Sequence, residues 1–406
     1  MNCSMKNILL ISTIYPVPEG NRGTAVCHFF TREWSRMGYN VRVVHIQAVY
    51  PRAFYWIARL FRNKIAAKTG AVVYTHRDKS VVRYVIDNVP IIRIPVFKPI
   101  PHGRFSSEAI LKTVDEILID NQNNNFTPDV IIGHFANPQL ELLNKLKVAY
   151  VNPKTCIVLH GEIEIMRKVY GKKLNELVNG IDMWGFRCKA LINEFSTVVG
   201  ELDNPFVCYS GIPSKYLIKN NTHQYDRPLH RFLYVGEMIE RKFPEKIIDA
   251  LVKVYPQKDY ELHYVGSGSQ LDVVKLKIKE YNLQNQVKLL GWIPRDQIIE
   301  EYDNADCLIM ISEGEAYGLV YLEAMARGCL TIASIGEGFD GVIKDGKNGF
   351  LCEAGNADDL AAKIIQINAV SFEQRMNVSQ EAIMTAKSLT DEKAAERYIN
   401  DILQRM

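Results

Sequence analysis

The sequence predicts an α/β protein made of two doubly wound domains, and three observations carry that reading. Short apolar runs alternate with amphipathic stretches along most of the 406 residues, the pattern of strands and helices wound about parallel sheets. The runs VIIGH (130–134) and CIVLHG (156–161) show no polar alternation, as expected of parallel strands covered on both faces. A polar, aperiodic segment at 213–230 then divides the alternation into two series. At roughly 100–200 residues per domain, the length suits two domains.

In order along the chain, NILLIS is a strand and the Pro/Gly-rich TIYPVPEGNRGT a loop. AVCHFFTREWSRMG is an amphipathic helix stopped at Gly38, and YNVRVVHI is the next strand, which completes a βαβ unit. Residues 49–128 are less regular, with NQNNNFTP as a loop. The second series begins with the strand RFLYVG and the helix KFPEKIIDALVKVY. YELHYVG and QLDVVKLKIKEYN follow as strand and helix, then QVKLLG, RDQIIEEYDNA and DCLIMIS as strand, helix and strand. GLVYLEAMARG, LTIAS and ADDLAAKIIQI continue the alternation. The expected domains are 1–212 and 231–385, joined by the linker 213–230, with 386–406 as a C-terminal helix packing back towards the first domain. Two such domains facing across a cleft would bind a ligand there.

Composition excludes several classes. Charged residues make up 23% and Gly and Pro are ordinary, which rules out disorder, collagen and coiled coil. The eight cysteines are scattered without a C-x-x-C pair. That spacing argues against zinc and against a secreted disulfide framework, and for reduced cytosolic thiols. No apolar run reaches the roughly 18–20 residues of a membrane span. The run from Ile8 to Ile14 ends near Pro16 without a small-residue cleavage site, so it reads as a strand and not a signal peptide. The net charge of +3 conceals an asymmetry: residues 1–104 carry 16 Lys+Arg against 4 Asp+Glu, and the rest of the chain is net acidic. One end is built to sit near something anionic.

The most specific chemical signal is SEGEAYGLVYLEAMARGCLTIAS, 312–334. A strand ends near Ser312, a glycine loop turns the chain, and a helix starts near Gly318–Leu319, whose free amides suit a phosphate. Glu315, ahead of the helix at the strand's carboxyl edge, could meet a sugar ring. Glu323, about one turn into the helix, could accept hydrogen bonds from a vicinal diol such as a ribose, as acidic residues do in dinucleotide sites.

This segment resembles the paired-Glu signature of the family-4 retaining glycosyltransferases, enzymes of the GT-B fold with two Rossmann-like domains. The resemblance runs along nearly the whole chain, strongest over 231–366 and weaker over 45–125. VGEMIERKFPEKIIDAL looks like the first strand, glycine turn and phosphate-binding basic residue of the family's C-terminal domain. LHYVGSGSQ looks like the second strand, VKLLGWI like the strand whose exit loop holds the base, and VIKDGKNGFL like the late glycine turn. YPVPEGNRGTAV looks like the glycine loop of the N-terminal domain and VLHGE like its strand-end histidine.

The resemblance implies a role for each matching residue. Lys242 would neutralise the donor diphosphate, with Arg241 beside it. Glu315 would bind hydroxyls of the transferred sugar and Glu323 the nucleotide ribose. Gly318 and Leu319, following Tyr317, would present amides to the phosphates, while Trp292 and Ile293 would line the base pocket. Gly23 would close over the diphosphate, and His160 would sit by the reacting sugar and acceptor. His160, Glu315 and Lys242 are therefore the catalytic candidates. Glu237 departs from the pattern, standing where the family usually has Arg, which removes one charge-assisted bond to the diphosphate; Arg241 could compensate.

Plainer alternatives stand beside these readings. A Glu-x7-Glu spacing alone is common on surface helices, Lys242 could be an exposed helix lysine, and a lone histidine after a buried run is most often a core residue. His134, which ends VIIGH, occupies a place like that of His160. GEGFDG (336–341) matches the dinucleotide fingerprint literally, but VIKDGKNG after it cannot form the required helix. It reads as a flexible glycine loop at the donor site.

The stretch VYPRAFYWIARLFRNK (49–64) mixes aromatic with basic residues. As an amphipathic helix it could lie in a membrane interface through Arg52, Trp56, Arg59, Phe61 and Arg62; otherwise it packs on the first domain with a solvated basic edge. No nucleic-acid module is recognisable, so nucleic acid is not an expected partner. The expected partners are a nucleotide-sugar donor, a glycan or lipid-linked acceptor and an anionic membrane surface, placing the protein in the cytoplasm on the inner membrane face. No cofactor or metal is expected, since the nucleotide sugar is a co-substrate. The expected function is a retaining, hexosyltransferase-like transfer to an acceptor hydroxyl in polysaccharide assembly. The alternatives are a non-catalytic nucleotide-binding partner subunit and a GT-B nucleotide-sugar epimerase.

Overall fold

The computed structural model describes residues 6–18, 25–69, 77–101, 103–161, 163–218, 223–295 and 297–406, with side chains left aside over 62–69. The chain divides into two units. The N-terminal unit holds Met1–Arg187, Leu191–Tyr209 and Ala394–Met406; the C-terminal unit holds Cys188–Ala190 and Ser210–Lys393.

The N-terminal unit begins with β1 (Asn7–Ser12), α1 (Val26–Arg36), β2 (Asn40–Val49) and α2 (Arg52–Thr69). β3 (Val82–Ile86), β4 (Val89–Phe97), α3 (Ser107–Asn123), β5 (Val130–His134) and α4 (Gln139–Ala149) follow. The series continues through β6 (Lys154–Leu159), α5 (Ile163–Tyr170), α6 (Leu174–Asn179), β7 (Met183–Phe186), α7 (Lys189–Val199) and β8 (Phe206–Val207). Its sheet has eight strands in the order β3-β4-β2-β1-β5-β6-β7-β8, parallel except where β3 meets β4. The inner strands are buried on both faces, as their unbroken apolar sequences require. β3, on the edge, alternates half-buried with exposed positions.

The C-terminal unit runs β9 (Arg231–Val235), α8 (Pro244–Val254), β10 (Glu261–Val265), α9 (Leu271–Glu280), β11 (Val287–Gly291), α10 (Ile298–Asn304) and β12 (Cys307–Ile309). It ends with α11 (Leu319–Ala326), β13 (Leu330–Ser334), β14 (Phe350–Cys352), α12 (Ala357–Ala369) and α13 (Phe372–Lys387). The final helix, α14 (Asp391–Leu403), starts in this unit and returns to the other. The six strands are ordered β11-β10-β9-β12-β13-β14, all parallel.

Each sheet is doubly wound, as the sequence predicts, and each has one point where the winding reverses. In the N-terminal unit β1 lies between β2 and β5; in the C-terminal unit β9 lies between β10 and β12. Loops leaving adjacent strands towards opposite sides open a crevice at their carboxyl ends, and ligands of such sheets bind there. The irregular stretch 49–128 resolves into α2, β3, β4 and α3, and α3 extends to Asn123, so the expected Asn-rich loop is shorter than its composition suggests. The seven described cysteines are buried, and there is no disulfide among the described residues. Among the described residues no helix is long and apolar enough to cross a membrane.

Candidate functional site

In the C-terminal unit the reversal point brings together the loops after β9 and β12, and most of the site residues predicted from the sequence lie on them. After β9 the chain passes Gly236 and Glu237, makes a 3-10 turn over Glu240–Lys242, and takes a left-handed step at Phe243 before Pro244 opens α8. Pro at the first helical position loses no hydrogen bond there. The tight turn holds Lys242 ahead of the helix, with its side chain only 14% exposed, so it is not a solvated helix lysine.

After β12 the loop reaches Glu315 and turns at Gly318, which caps α11 with φ +81°. A Cβ there would lie 2.4 Å from the Tyr321 ring, so only glycine fits. Lys242 Nζ stands 3.5 Å from Glu315 Oε2 and the Arg241 guanidinium 3.9 Å from the same oxygen. Arg241 also donates to the carbonyls of Glu313 and Gly314 at 3.2 Å each, and its own carbonyl accepts from Glu313 N. The two loops are thus tied together, presenting two cations and one carboxylate in a small volume.

Sequence reasoning passed over the group that fixes this loop. Glu337 accepts from the Glu315 amide at 2.7 Å, and Gly338 N donates to the Glu315 carbonyl. Gly338 approaches so closely that a Cβ would lie 2.4 Å from the backbone of residues 315–317. The GEGFDG segment, expected as a flexible loop, is therefore stitched to Glu315. Burial pushes the Glu337 carboxyl above its ordinary range, opposed by the backbone amides of Gly314 and Glu315.

The other predicted donor residues are placed differently. Tyr317 is buried, with its hydroxyl donating to the Ser210 carbonyl at 2.8 Å, so what its position offers a ligand is backbone. Leu319 is the first residue of α11. Trp292 is 78% exposed and Ile293 half-buried, on the loop after β11. Glu323 is 5% exposed. Its Oε1 accepts from Arg295 Nε at 2.9 Å and Nη2 at 2.6 Å, and its Oε2 from the Tyr302 hydroxyl at 3.0 Å. The carboxylate is therefore held by protein donors, and a diol would have to share its remaining lone pairs or displace Arg295. Arg295 was not legible as a site residue, since nothing in RDQIIEEYDNA marks which face of the helix Glu323 meets. Gly23 and the side chain of Arg62 lie outside the described residues.

In the N-terminal unit, β5 ends at His134 and β6 leads into His160. His134 Nδ1 lies 3.0 Å from His160 Nε2, and the Tyr398 hydroxyl, from α14, lies 3.2 Å from His134 Nε2. Phe135, held at φ +70°, stacks on His160 with ring centroids 4.2 Å apart. Burial, reinforced by the Arg187 cation, pushes His134 down to about 3. Burial first, then Arg187 and His134, holds His160 well below the ordinary histidine range. Both imidazoles are neutral near pH 7 and each carries one proton. Burial also holds the Tyr398 phenol protonated. His134 is its hydrogen-bond partner among the described residues, so the phenol donates to Nε2. The His134 proton then sits on Nδ1 and is given to His160 Nε2, which leaves the His160 proton on Nδ1.

Among the described residues no group of three or more His, Cys, Asp or Glu could hold a metal ion.

Comparison with known proteins places these observations. Residues 220–384 match the family model described as Glycosyl transferases group 1. N-acetyl-alpha-D-glucosaminyl L-malate synthase of Bacillus anthracis is 30% identical over 33% of this chain, a match that spans only 35% of the synthase. The amylovoran biosynthesis glycosyltransferase AmsK of Erwinia amylovora is 26% identical over 91% of this chain and 93% of its own. Among solved structures, Anabaena HepE in complex with UDP and glucose superposes with a TM-score of 0.65 at 18% identity, covering 99% of this chain and 100% of that one. The fold is GT-B. The family match and the relatives, with polysaccharide-biosynthesis enzymes among them, support a glycosyltransferase.

Proposed function

We propose that this chain is a retaining hexosyltransferase that moves a sugar from a nucleotide-sugar donor to the hydroxyl of a lipid-linked or growing surface-polysaccharide glycan. The observation that carries the reading is the Lys242–Glu315 pair, 3.5 Å apart at the reversal point of the C-terminal sheet with Arg241 alongside. A diphosphate needs cations, and a sugar ring needs an acceptor for its hydroxyls; this pair supplies both within one sugar's reach.

In this reading the donor binds on the C-terminal unit and the acceptor on the N-terminal unit. The bond from sugar C1 to the phosphate oxygen breaks, the bond from C1 to the acceptor oxygen forms, and the acceptor's proton passes to the departing diphosphate. Charge grows on that diphosphate in the transition state, where Lys242 and the amides at Gly318 and Leu319 stabilise it. His160 stands by the acceptor as a neutral imidazole. No metal or cofactor takes part. The protein works in the cytoplasm on the inner membrane face, where the basic end of the chain and the aromatic helix α2 meet anionic lipid.

The experiment is transfer from a radiolabelled nucleotide sugar to a membrane-lipid extract, with the anomeric configuration of the product read by proton NMR. Retention supports the proposal. An inverted product refutes retention, and a changed nucleotide sugar formed without any acceptor would point to the epimerase.

A further inference from the structure

The N-terminal unit contains a second concave site, at the carboxyl ends of β2 and β4, where α2 leaves β2 and the chain enters β3 antiparallel to β4. A cavity of about 420 Å³ is lined by Arg52, Tyr55, Trp56, Arg59, Arg77 and Lys79. Its volume lies within the range of small-ligand sites, about 300–1,000 Å³. Among the described residues, four of the six that line it are cations and none is an acid. The nearest carboxylate in sequence, Asp78, is engaged elsewhere: it accepts from the backbone and hydroxyl of Ser80 and pairs with Arg93 at 3.4 Å. Arg77 Nε is buried with no hydrogen-bond partner among the described residues. A buried guanidinium nitrogen without an acceptor is costly, and an anion in the cavity would satisfy it.

The rim is apolar on the wrong side for a water-facing helix. α2 buries Tyr55 and Ala58, while Trp56, Ile57, Leu60 and Phe61 are 68%, 46%, 61% and 48% exposed. Positions 56, 57 and 60 share one helix face, and Phe61 stands at a kink in α2 with φ −120° and ψ 20°, so an apolar strip borders the cationic cavity up to the kink. The Tyr55 hydroxyl, which accepts from Tyr50 N at 3.0 Å, anchors the start of the helix beneath it.

We infer that this cavity binds the phosphate headgroup of a lipid, with Arg52, Arg59, Arg77 and Lys79 on the headgroup and the strip from Trp56 to Phe61 against the hydrocarbon. Four cations without an acid match a dianionic phosphomonoester or a diphosphate better than the single charge of a phosphodiester, and guanidinium groups grip such oxygens in pairs. The inference deepens the proposed membrane-surface reading, from general attraction to a headgroup-selective site.

The test is flotation of the full chain with phosphatidylcholine vesicles containing equal surface charge as phosphatidic acid, a phosphomonoester, or phosphatidylglycerol, a phosphodiester. The expected result is at least tenfold tighter binding to phosphatidic acid. That preference should vanish in Arg77→Gln and in the exposed Lys79→Gln, and Trp56→Ser should weaken binding to both vesicles. Melting curves confirm that each variant folds, and Lys79→Gln keeps the test open should Arg77→Gln not fold. Equal binding to the two lipids, or a preference unchanged in a folded Lys79→Gln, overturns the inference. So does protection by inorganic pyrophosphate without flotation, which would make the cavity a soluble-phosphate site. The readout needs no nucleotide sugar, so loss of the transfer reading leaves it untouched, and its own failure leaves the Lys242–Glu315 site untouched.

Discussion

His134 Nδ1 lies 3.0 Å from His160 Nε2, a hydrogen-bond distance that two neutral rings can make only with one proton between them. Which ring owns it is decided one residue further back, by the Tyr398 phenol on His134 Nε2. Tyr398→Phe removes the donor that sets the chain of tautomers without removing the aromatic packing against Phe30 and Trp34. The expected loss is about tenfold in kcat, the scale of one hydrogen bond of about 1–1.5 kcal/mol. Nitrogen-15 NMR of His160 should show the Nδ1–H form in the parent and a mixture in the variant. An unchanged tautomer would show that Tyr398 only packs.

The same pair makes stability fall on acidification. Both imidazoles are held below the unfolded histidine value, so between about 3, the value for His134, and about 6.5 the unfolded chain binds more protons than the folded one. Stability is fully present above about 6.5 and is lost as pH falls through this window, at about 1.4 kcal/mol per pH unit for each such group. Melting temperatures between pH 7 and 5 should fall, and His134→Asn should flatten the slope by close to one proton.

Removing the Lys242 cation strikes the transition state. Lys242→Ala should lower kcat by about 100- to 1,000-fold, the usual effect of losing one donor to a developing anion, with little change in melting temperature because Lys242 bridges to Glu315 only at 3.5 Å. Lys242→Arg should recover part of the loss. Glu315→Gln, which retains shape but not charge, should act mainly through KM if Glu315 binds sugar hydroxyls in the ground state. Steady-state kinetics of the three variants checks the set.

Arg295 carries a stability prediction. It donates twice to Glu323, which is 6% exposed at its side chain, while Arg295 itself is 38% exposed. Arg295→Ala leaves a buried carboxylate held by Tyr302 alone and should cost about 2 kcal/mol, less than the 3–5 of a fully buried pair because solvent reaches the cation. Adding Glu323→Gln should return part of that loss, as a urea double-mutant cycle would show.

How much of this was legible in the sequence varies from residue to residue for physical reasons. The inner strands read directly because parallel strands buried on both faces have unbroken apolar sequences, as VIIGH does. β4 did not read: Pro90 and Pro95 interrupt VPIIRIPVF, and proline argues against a strand placed between two others, as β4 is between β2 and β3. Glu315 and Gly318 stood out because strand, turn and helix follow one another locally in that segment. Glu337, Arg295 and Tyr398 could not stand out. Each meets its partner across 22, 28 and 264 residues of chain respectively, and no local spacing encodes a contact of that kind. The cationic cavity lay between: its helix was visible in the pattern of Trp56 and Arg59, whereas Arg77 and Lys79 join it only in the folded chain.

The central claim is that the C-terminal unit binds a nucleotide sugar through Lys242 and Glu315, and thermal shift against UDP-, GDP-, ADP- and CMP-sugars with their free nucleotides tests it most directly. A ligand at 100 times its dissociation constant adds about 2.7 kcal/mol to the folded state, a rise of several degrees. The expected result is a clear shift with the sugar nucleotide of one base, lost in Lys242→Ala and in Glu315→Ala and kept in Tyr398→Phe. No shift from any nucleotide, or a shift that survives both substitutions, would contradict it.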